Sequence, residues 1–174
     1  GAILLSKHED IFVCEKNTAV FSSIQPDGLM TRLMGQNMMR KDGEEHKRER
    51  HVIFPTVSPK TTQNVWKQKF IDHTKKILNN LSKKQEIDLV NEFAKPVSAE
   101  ALKSITGLTN MTWQEMDRVS QGMIDGCANY NQNKMVEENC HRCTASIDFH
   151  IQERLKQDLG SDPSLLSVFA LKKG

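Results

Sequence analysis

Residues 59–81 read PKTTQNVWKQKFIDHTKKILNNL, and this stretch indicates most clearly that the chain is built from helices. Pro59, directly after Ser58, is typical of a first helical position. An N–H at that position would have no intrahelical partner, so proline, which has no N–H, loses no hydrogen bond there. The apolar side chains recur at near-helical spacing, with lysines between them. We therefore predict one long amphipathic helix with its lysine-rich side in solvent. Its apolar positions are Trp66, Phe70, Ile77 and Leu81.

Three more helices are predicted downstream of this stretch. Pro96 opens the first of them, and Gly107 ends it, since glycine readily adopts the left-handed conformation of a helix C-terminus. Thr112 and Glu115 form a capping-box pattern that begins the next helix, and such a cap contributes about 1 kcal/mol. A fourth helix over residues 133–157 places its apolar side chains on one stripe. That stripe consists of Val136, Cys140, Cys143, Ile147 and Ile151.

Two short segments have strand-like patterns. Residues 2–6 are mostly apolar, and residues 86–90 alternate polar and apolar side chains. A brief helix from Lys7 to Cys14 follows the first segment, and residues 21–43 are predicted to form a long methionine-rich loop interrupted by proline and glycine. A strand has unpaired backbone groups along both edges, so two strands without partners indicate that their sheet lies in polypeptide outside this sequence.

Composition indicates a globular chain of one domain or part of one. The chain has 174 residues, 37% of them hydrophobic and 26% charged, and no apolar run long enough to cross a bilayer. We expect a cytoplasmic protein with no membrane partner, since four cysteines fit a reducing compartment. The net charge of +2 is uneven, because residues 59–84 carry seven lysines against Asp72 alone, a local charge of +6. Such a stripe is usually a solvated face, although it can also meet an acidic partner or nucleic acid.

The densest polar cluster in the sequence lies at residues 42–51. If this cluster begins a helix, His46 and Arg50 are four residues apart and share one face. A planar guanidinium binds a carboxylate through two hydrogen bonds, and an imidazole can donate a hydrogen bond to a neighbouring carboxylate. The pair is therefore a candidate site for an anionic group, although a charge cluster is most often plain surface.

Several short motifs follow one another along the chain in a recognisable order. They are Ser6-Lys7-His8-Glu9-Asp10, Phe21-Ser22-Ser23, Asp42-Gly43-x-x-His46-x-x-x-Arg50, Phe54, Ser58-Pro59 and Ile87-Asp88-Leu89-Val90-x-x-Phe93-Ala94-x-Pro96-Val97. This order resembles the soluble bacterial cytochrome P-450 family over nearly the whole chain. The resemblance implies a mainly α fold with one or two short strands, in which residues 1–174 form a single partial domain. It implies a B–C loop at 22–42, a C helix from about 46, D at 59–82, E at 96–106, F at 112–130 and G at 133–157, with lid helices within 111–157.

The resemblance also implies a function. Members of the family are haem-dependent monooxygenases, which use dioxygen and electrons to hydroxylate or O-dealkylate a substrate. By resemblance, His46 and Arg50 bind the haem propionates, and a ferredoxin or flavin-type electron donor meets the C-helix side at Arg40, Lys41, Lys47 and Arg48. The substrate would be small and hydrophobic or aromatic. The candidate substrate-binding residues are Leu29, Leu33, Met34, Met123, Ile124 and Cys127.

Important parts of the family pattern are missing from this sequence. None of the four cysteines matches the thiolate loop F-x-x-G-x-x-x-C-x-G, and the oxygen-activating I-helix motif does not occur. The run from Cys140 to Cys143 has its histidine between the cysteines and lacks the further ligands of a zinc site, so we predict no metal ligands and no catalytic residues in this chain. The expected protein is an inactive fragment of a longer enzyme.

Two other classes of function remain open from the residues. Residues 99–107 and 112–118 have the shape of a helix-turn-helix DNA-binding regulator, but Glu115 and Asp117 make a poor surface for anionic DNA, so we expect no nucleic-acid partner. A catalytically inactive relative that keeps only the lid architecture as a binding module is the other alternative.

Overall fold

The computed structural model describes residues 3–171, and their regular structure is helical. No β-strand occurs within this range, so the strand predicted at 86–90 is wrong. Of the strand predicted at 2–6, residues 3–6 are irregular and Ala2 lies outside the described residues. A short 3-10 turn at Met38–Arg40 precedes α3. The helices are α1 (His8–Lys16), α2 (Leu29–Met34), α3 (Gly43–Val57), α4 (59–81), α5 (89–106), α6 (Trp113–Cys127), α7 (Lys134–Leu155) and α8 (Leu165–Leu171).

Helix α4 follows the prediction in its bounds and in its buried side. It consists of Pro59–Thr61, a π-helical stretch Thr62–Trp66 and Lys67–Leu81. The Ser58 hydroxyl accepts a hydrogen bond from the Thr61 N–H at 3.1 Å, which satisfies one donor that a helix N-terminus leaves free. The apolar stripe is buried at Trp66 and Leu81, as predicted.

Helix α5 begins seven residues earlier than predicted. The Asp88 carboxylate accepts hydrogen bonds from the N–H groups of Val90 and Asn91, both at 2.9 Å, and so caps a helix where the sequence pattern indicated a strand. The first turns, Leu89–Ala94, are π-helical, and Lys95–Thr106 is regular α-helix. Pro96 has no N–H for the usual i−4 bond, so we ascribe the wider turns before it to the room that its ring requires.

The core lies where α5, α6, α7 and α8 meet. Gly107 ends α5 with φ of +86°, and a Cβ there would lie 2.6 Å from the Ser164 hydroxyl, so both backbone and space require glycine. Beyond it, α6 packs against both α5 and α7, and α8 contacts α3, α5 and α7. The buried cluster consists of Ala99, Leu108, Met111, Met116, Val119, Cys143 and Leu166.

The segment before α3 is only partly a loop. The predicted methionine-rich loop at 21–43 contains helix α2, which packs on α6 and α7 through the buried side chain of Leu33. Helix α1, close to its predicted position, has no buried residue. None of the helices within residues 3–171 has both the length and the apolar character needed to cross a membrane.

Candidate functional site

A large apolar cleft opens between α3, α5, α6, α7 and α8. Its volume is about 970 Å³, at the upper end of the range for small-molecule sites. The lining includes the hydroxyls of Thr106 and Ser120 but no charged side chain. The cleft is therefore suited to an uncharged apolar group. Its aliphatic, thioether and aromatic lining includes Met116, Met123, Ile147, Ile151, Leu166 and Phe169.

The predicted substrate-binding residues do not form one site. Met123 lines the apolar cleft, whereas Leu29 and Leu33 line a separate cavity of about 130 Å³ beside the α6–α7 turn. Ile124 is 62% exposed. The structure thus brings Leu29 together with Leu33 and separates both from Met123.

The last two predicted substrate residues, Met34 and Cys127, are each the final residue of a helix. Met34 is half-buried in the final turn of α2. Cys127 is the last residue of α6 and is also half-buried. Burial raises the pKa of the Cys127 thiol, and the charge of Arg40 opposes that rise. The thiol is therefore held in its neutral form rather than as a thiolate.

His46 and Arg50 both lie on α3, one turn apart. The Nδ1 atom of His46 lies 3.1 Å from the carbonyl oxygen of Met38, which holds the ring against the 3-10 turn. Arg50 is exposed and has no hydrogen bond or ion pair with any residue in the range 3–171. The pair therefore combines a held imidazole with a free guanidinium on one side of a helix.

Asp42, the residue before α3, connects this helix to an earlier segment of the chain. Its carboxylate accepts hydrogen bonds from the Ser22 hydroxyl at 2.6 Å and from the Ser23 N–H at 3.0 Å. The Ser22 hydrogen bond is the main reason that the pKa of Asp42 lies below its usual value. The segment before α2 is thereby tied to the turn that carries His46.

Two of the four cations predicted to meet an electron donor are paired within the chain. Lys41 is paired with Glu49, and Lys47 is paired with Glu44 at 2.7 Å. Arg48 is exposed, whereas the Nε of Arg40 is buried without a hydrogen-bond partner among residues 3–171. This side of α3 therefore has less free positive charge than its sequence suggests.

The four free cysteines lie on three helices, α1, α6 and α7. No group of three or more His, Cys, Asp or Glu side chains that could hold a metal ion occurs in residues 3–171. Cys140 and Cys143 are buried in the contact between α6 and α7, and burial raises the pKa of the Cys140 thiol. These two cysteines pack as small apolar side chains, which agrees with their predicted place on the α7 stripe.

The helix pair considered as a DNA-binding motif is packed differently from a free recognition helix. α6 lies between α5 and α7, with Met116 and Val119 in the core. Arg118, which also contacts Cys143 of α7, is paired with Glu115, and Gln121 donates a hydrogen bond to Asp125 at 2.7 Å. The geometry gives no support to base reading by this helix.

Glu115 forms a polar contact between α6 and α7. The sequence pattern had indicated only a role for this residue in capping α6. The Thr112 hydroxyl accepts from the Glu115 N–H, as the capping pattern predicts, but the Glu115 carboxylate turns to other partners. It accepts hydrogen bonds from Arg118 Nη2 and from the Ser146 hydroxyl, both at 2.6 Å. The Arg118 hydrogen bond is the largest cause that lowers the pKa of Glu115 to about 2.

We expect the Glu115 contact to make stability depend on acid pH. A carboxylate with a lowered pKa in the folded state stabilises the fold above its unfolded value of 4.5, and this contribution is lost as the pH falls towards about 2. Since both partners are partly exposed, solvent screening limits the effect to about 1 kcal/mol. Urea unfolding of the wild type and of Glu115→Gln should therefore differ near neutral pH and converge towards pH 2.

The control for this prediction is Glu44→Gln. Glu44 is also paired with a cation one turn away, but it lies on the surface of α3 and joins no second helix. Lys47 also lowers the pKa of Glu44, but this pair is fully exposed and screened by water, so Glu44→Gln should change the acid side of the stability curve less than Glu115→Gln does. Equal curves for Glu115→Gln and the wild type at every pH would contradict the assigned role of Glu115.

No family model matches the sequence. The cleft residues that the sequence did not indicate, such as Val52, Leu108 and Leu166, come from α3, from the connection between α5 and α6, and from α8, which are far apart in the chain. The only sequence signal for the apolar cleft was the apolar periodicity of α6 and α7.

Proposed function

We propose that this chain is part of a haem-dependent monooxygenase that hydroxylates or O-dealkylates a small hydrophobic or aromatic substrate. The haem would supply dioxygen activation with electrons from a ferredoxin or flavin-type donor. The observation that carries the proposal is the pairing of a held His46 with a free Arg50 on α3, in a sequence whose motif order resembles the cytochrome P-450 family. By itself the chain is proposed to be inactive.

The residues present fit the acidic edge of a haem. In a protonated imidazole both ring nitrogens donate hydrogen bonds. Nδ1 of His46 can then donate to the Met38 carbonyl, and Nε2 remains free to donate to a carboxylate. The Arg50 guanidinium keeps its charge at any physiological pH and matches the two oxygens of a carboxylate. The two side chains can thus bind and orient neighbouring propionates.

The residues present do not fit the iron. Cys140 and Cys143 are buried between helices, and the raised pKa values of Cys127 and Cys140 disfavour a thiolate. Cys14 lies in α1, which has no buried residue. The proposal therefore assigns the iron ligand to polypeptide outside this sequence and derives no reaction step from this chain.

The apolar cleft supports the proposed substrate class. Its lining is uncharged, and it contains Met123 from the sequence-based candidate set. Four free cysteines support a reducing compartment such as the cytoplasm. The same cleft also favours a second candidate, an inactive binding module for apolar ligands, because five helices form it and its lining residues include no cysteine.

A haemin titration of the purified chain tests the proposed cofactor contact. Arg50→Ala should weaken haemin binding by roughly tenfold, which corresponds to one lost charge-assisted hydrogen-bonded pair. Arg48→Ala is the matched control, because Arg48 is equally exposed but lies two residues away on another side of α3. The measurement is haem absorbance during titration and after desalting.

Haemin dimethyl ester separates propionate binding from nonspecific apolar binding. The ester has no carboxylates, so the wild type and Arg50→Ala should bind it equally. If Arg48→Ala weakens haemin binding as much as Arg50→Ala, or if the ester binds the wild type as tightly as haemin, the proposed role of Arg50 is wrong.

A further inference from the structure

A small cavity lies between α2 and the turn that joins α6 to α7. Its volume is about 130 Å³, which is room for about four water molecules, so a ligand that it holds is small. Two of its lining residues, Leu29 and Leu33, are apolar, and the others are polar or charged. The polar and charged lining residues are Arg32, Asn129, Gln132, Lys134 and Glu137.

The charged residues at this cavity are not neutralised within the described part of the chain. Arg32 and Lys134 are exposed, and neither has an ion pair or a side-chain hydrogen bond with any residue in the range 3–171. The Oε1 atom of Glu137 lies 4.0 Å from Nε2 of His141, which is too far for a hydrogen bond. Two cations and one carboxylate therefore border the same small cavity with their charges largely uncompensated.

A second polar cavity, between α4 and α5, differs in this respect. Both lysines that line it are paired, Lys69 with Asp162 at 2.6 Å and Lys103 with Glu100 at 2.7 Å. The field of a close ion pair largely cancels, so such a cavity attracts a further charged group only weakly. Unpaired charges of both signs are thus a particular feature of the cavity beside α2.

The position of Lys134 favours an anion in this cavity. Lys134 is the first residue of α7, the end at which the helix dipole carries positive charge. A cation is disfavoured at a helix N-terminus, whereas a carboxylate placed beside Lys134 would be stabilised by the dipole and by the ammonium group together.

Hydrogen bonds hold the turn beside this cavity in one shape. The Asn129 side chain donates to the Asn133 carbonyl and accepts from the Asn133 N–H, both at 2.9 Å. Within this turn Gln132 has φ of +53°, in the left-handed region that residues other than glycine rarely adopt. The site is therefore formed before a ligand binds, and binding costs less conformational entropy than it would for a mobile turn.

We propose that this cavity binds a small apolar amino acid such as alanine. The ligand carboxylate pairs with Arg32 and Lys134, its ammonium group pairs with Glu137, and its methyl group contacts Leu29 and Leu33. A simple carboxylate would place a second negative charge beside Glu137, and a simple amine would leave both cations unpaired. A zwitterion matches all three charges.

This proposal is independent of the proposed monooxygenase function. The lining residues of the cavity include none from α3, where His46 and Arg50 lie, and none that lines the apolar cleft. A failure of haemin binding would therefore leave the amino-acid site unaffected, and the reverse also holds.

An NMR titration of the full chain with L-alanine tests the proposal. Propionate lacks the ammonium group and ethylamine lacks the carboxylate, so each compound probes one half of the ligand. The test variants are Arg32→Gln, Lys134→Gln and Glu137→Gln. Arg142→Gln is the matched control, because Arg142 is an exposed arginine of α7 that does not line the cavity.

We expect L-alanine to bind the wild type at millimolar concentrations, more tightly than propionate or ethylamine, and to shift amide signals of residues 29–33 and 129–137. Arg32→Gln and Lys134→Gln should each weaken alanine binding about three- to fivefold, since the ion pairs that they remove are exposed. Glu137→Gln should weaken alanine binding to a similar extent but should not weaken propionate binding, because propionate has no ammonium group. Arg142→Gln should bind alanine as the wild type does.

Any of four results would overturn the proposal. The first is the absence of saturable alanine binding by the wild type, and the second is equal affinity of the wild type for alanine and propionate. The third is equal weakening of alanine binding by Arg142→Gln and Arg32→Gln, and the fourth is a set of shifts confined to residues away from the cavity. The dispersion of the amide signals shows that each variant is folded.

Discussion

Replacing Gly126 by alanine is expected to destabilise the fold by about 2 kcal/mol, because the added methyl group has no room between α6 and α7. A Cβ at this position would lie 2.8 Å from the Cβ of Cys140 and 2.5 Å from its Sγ. The Cβ of Cys140 is fixed to the backbone, so the two helices would have to separate. The gain in helix propensity from glycine to alanine, about 1 kcal/mol, offsets only part of this cost. Urea unfolding followed by circular dichroism measures the change.

A matched variant at Gly122 separates backbone contact from side-chain contact. There an added Cβ would collide mainly with the Sγ of Cys143 and, at 2.9 Å, with the movable end of Asn139, while the Cβ of Cys143 is 3.5 Å away. Cys143→Ala should therefore rescue Gly122→Ala in a double-mutant cycle. Cys140→Ala should rescue Gly126→Ala much less, because the Cβ contact stays. Additive effects at Gly122 and Cys143 would contradict this packing.

The helices were predictable because their signals are local. The stripe on α4 and the stripe on α7 each recur within one helix, and the residues that begin α4 and α6, Ser58 and Thr112, act on groups three residues away. The alternation at 86–90 was misleading, because five residues are too few to separate a strand from a capped helix start. Asp88 decided the outcome through its own side-chain hydrogen bonds.

The candidate site was less accessible from the sequence. His46 and Arg50 could be placed together because four residues make one helical turn. The apolar cleft could not be predicted from the sequence, because it depends on how five helices pack. Apolar periodicity within each helix does not indicate which apolar stripes line the same cavity. Ile124 shows the limit, because its position near Met123 in the sequence places it on the outer side of α6.

Replacing Trp66 by alanine is expected to have the largest effect, about 4 kcal/mol, because the indole is the largest fully buried side chain at 2% exposure. Trp66 also forms a hydrogen bond at the end of α3, where the last carbonyl groups have no intrahelical donors. The Trp66 Nε1–H donates to the carbonyl of Thr56 at 2.7 Å, in a buried position. The neighbouring carbonyl of Pro55 accepts from the Thr61 hydroxyl at 2.6 Å, at the surface. One indole therefore both fills the core and completes the α3–α4 corner.

Two further variants divide these roles of Trp66. Trp66→Phe keeps most of the apolar volume but leaves the Thr56 carbonyl buried without a donor, which should cost about 2 kcal/mol. Thr61→Ala removes the equivalent bond to Pro55, but water can replace it at the surface, so the expected loss is below about 1 kcal/mol. Urea unfolding of all three variants gives the ranking. Equal losses of stability for Trp66→Phe and Thr61→Ala would mean that burial does not set the strength of these two hydrogen bonds. The expected order would mean that the α3–α4 corner depends on the buried hydrogen bond from Trp66 to Thr56.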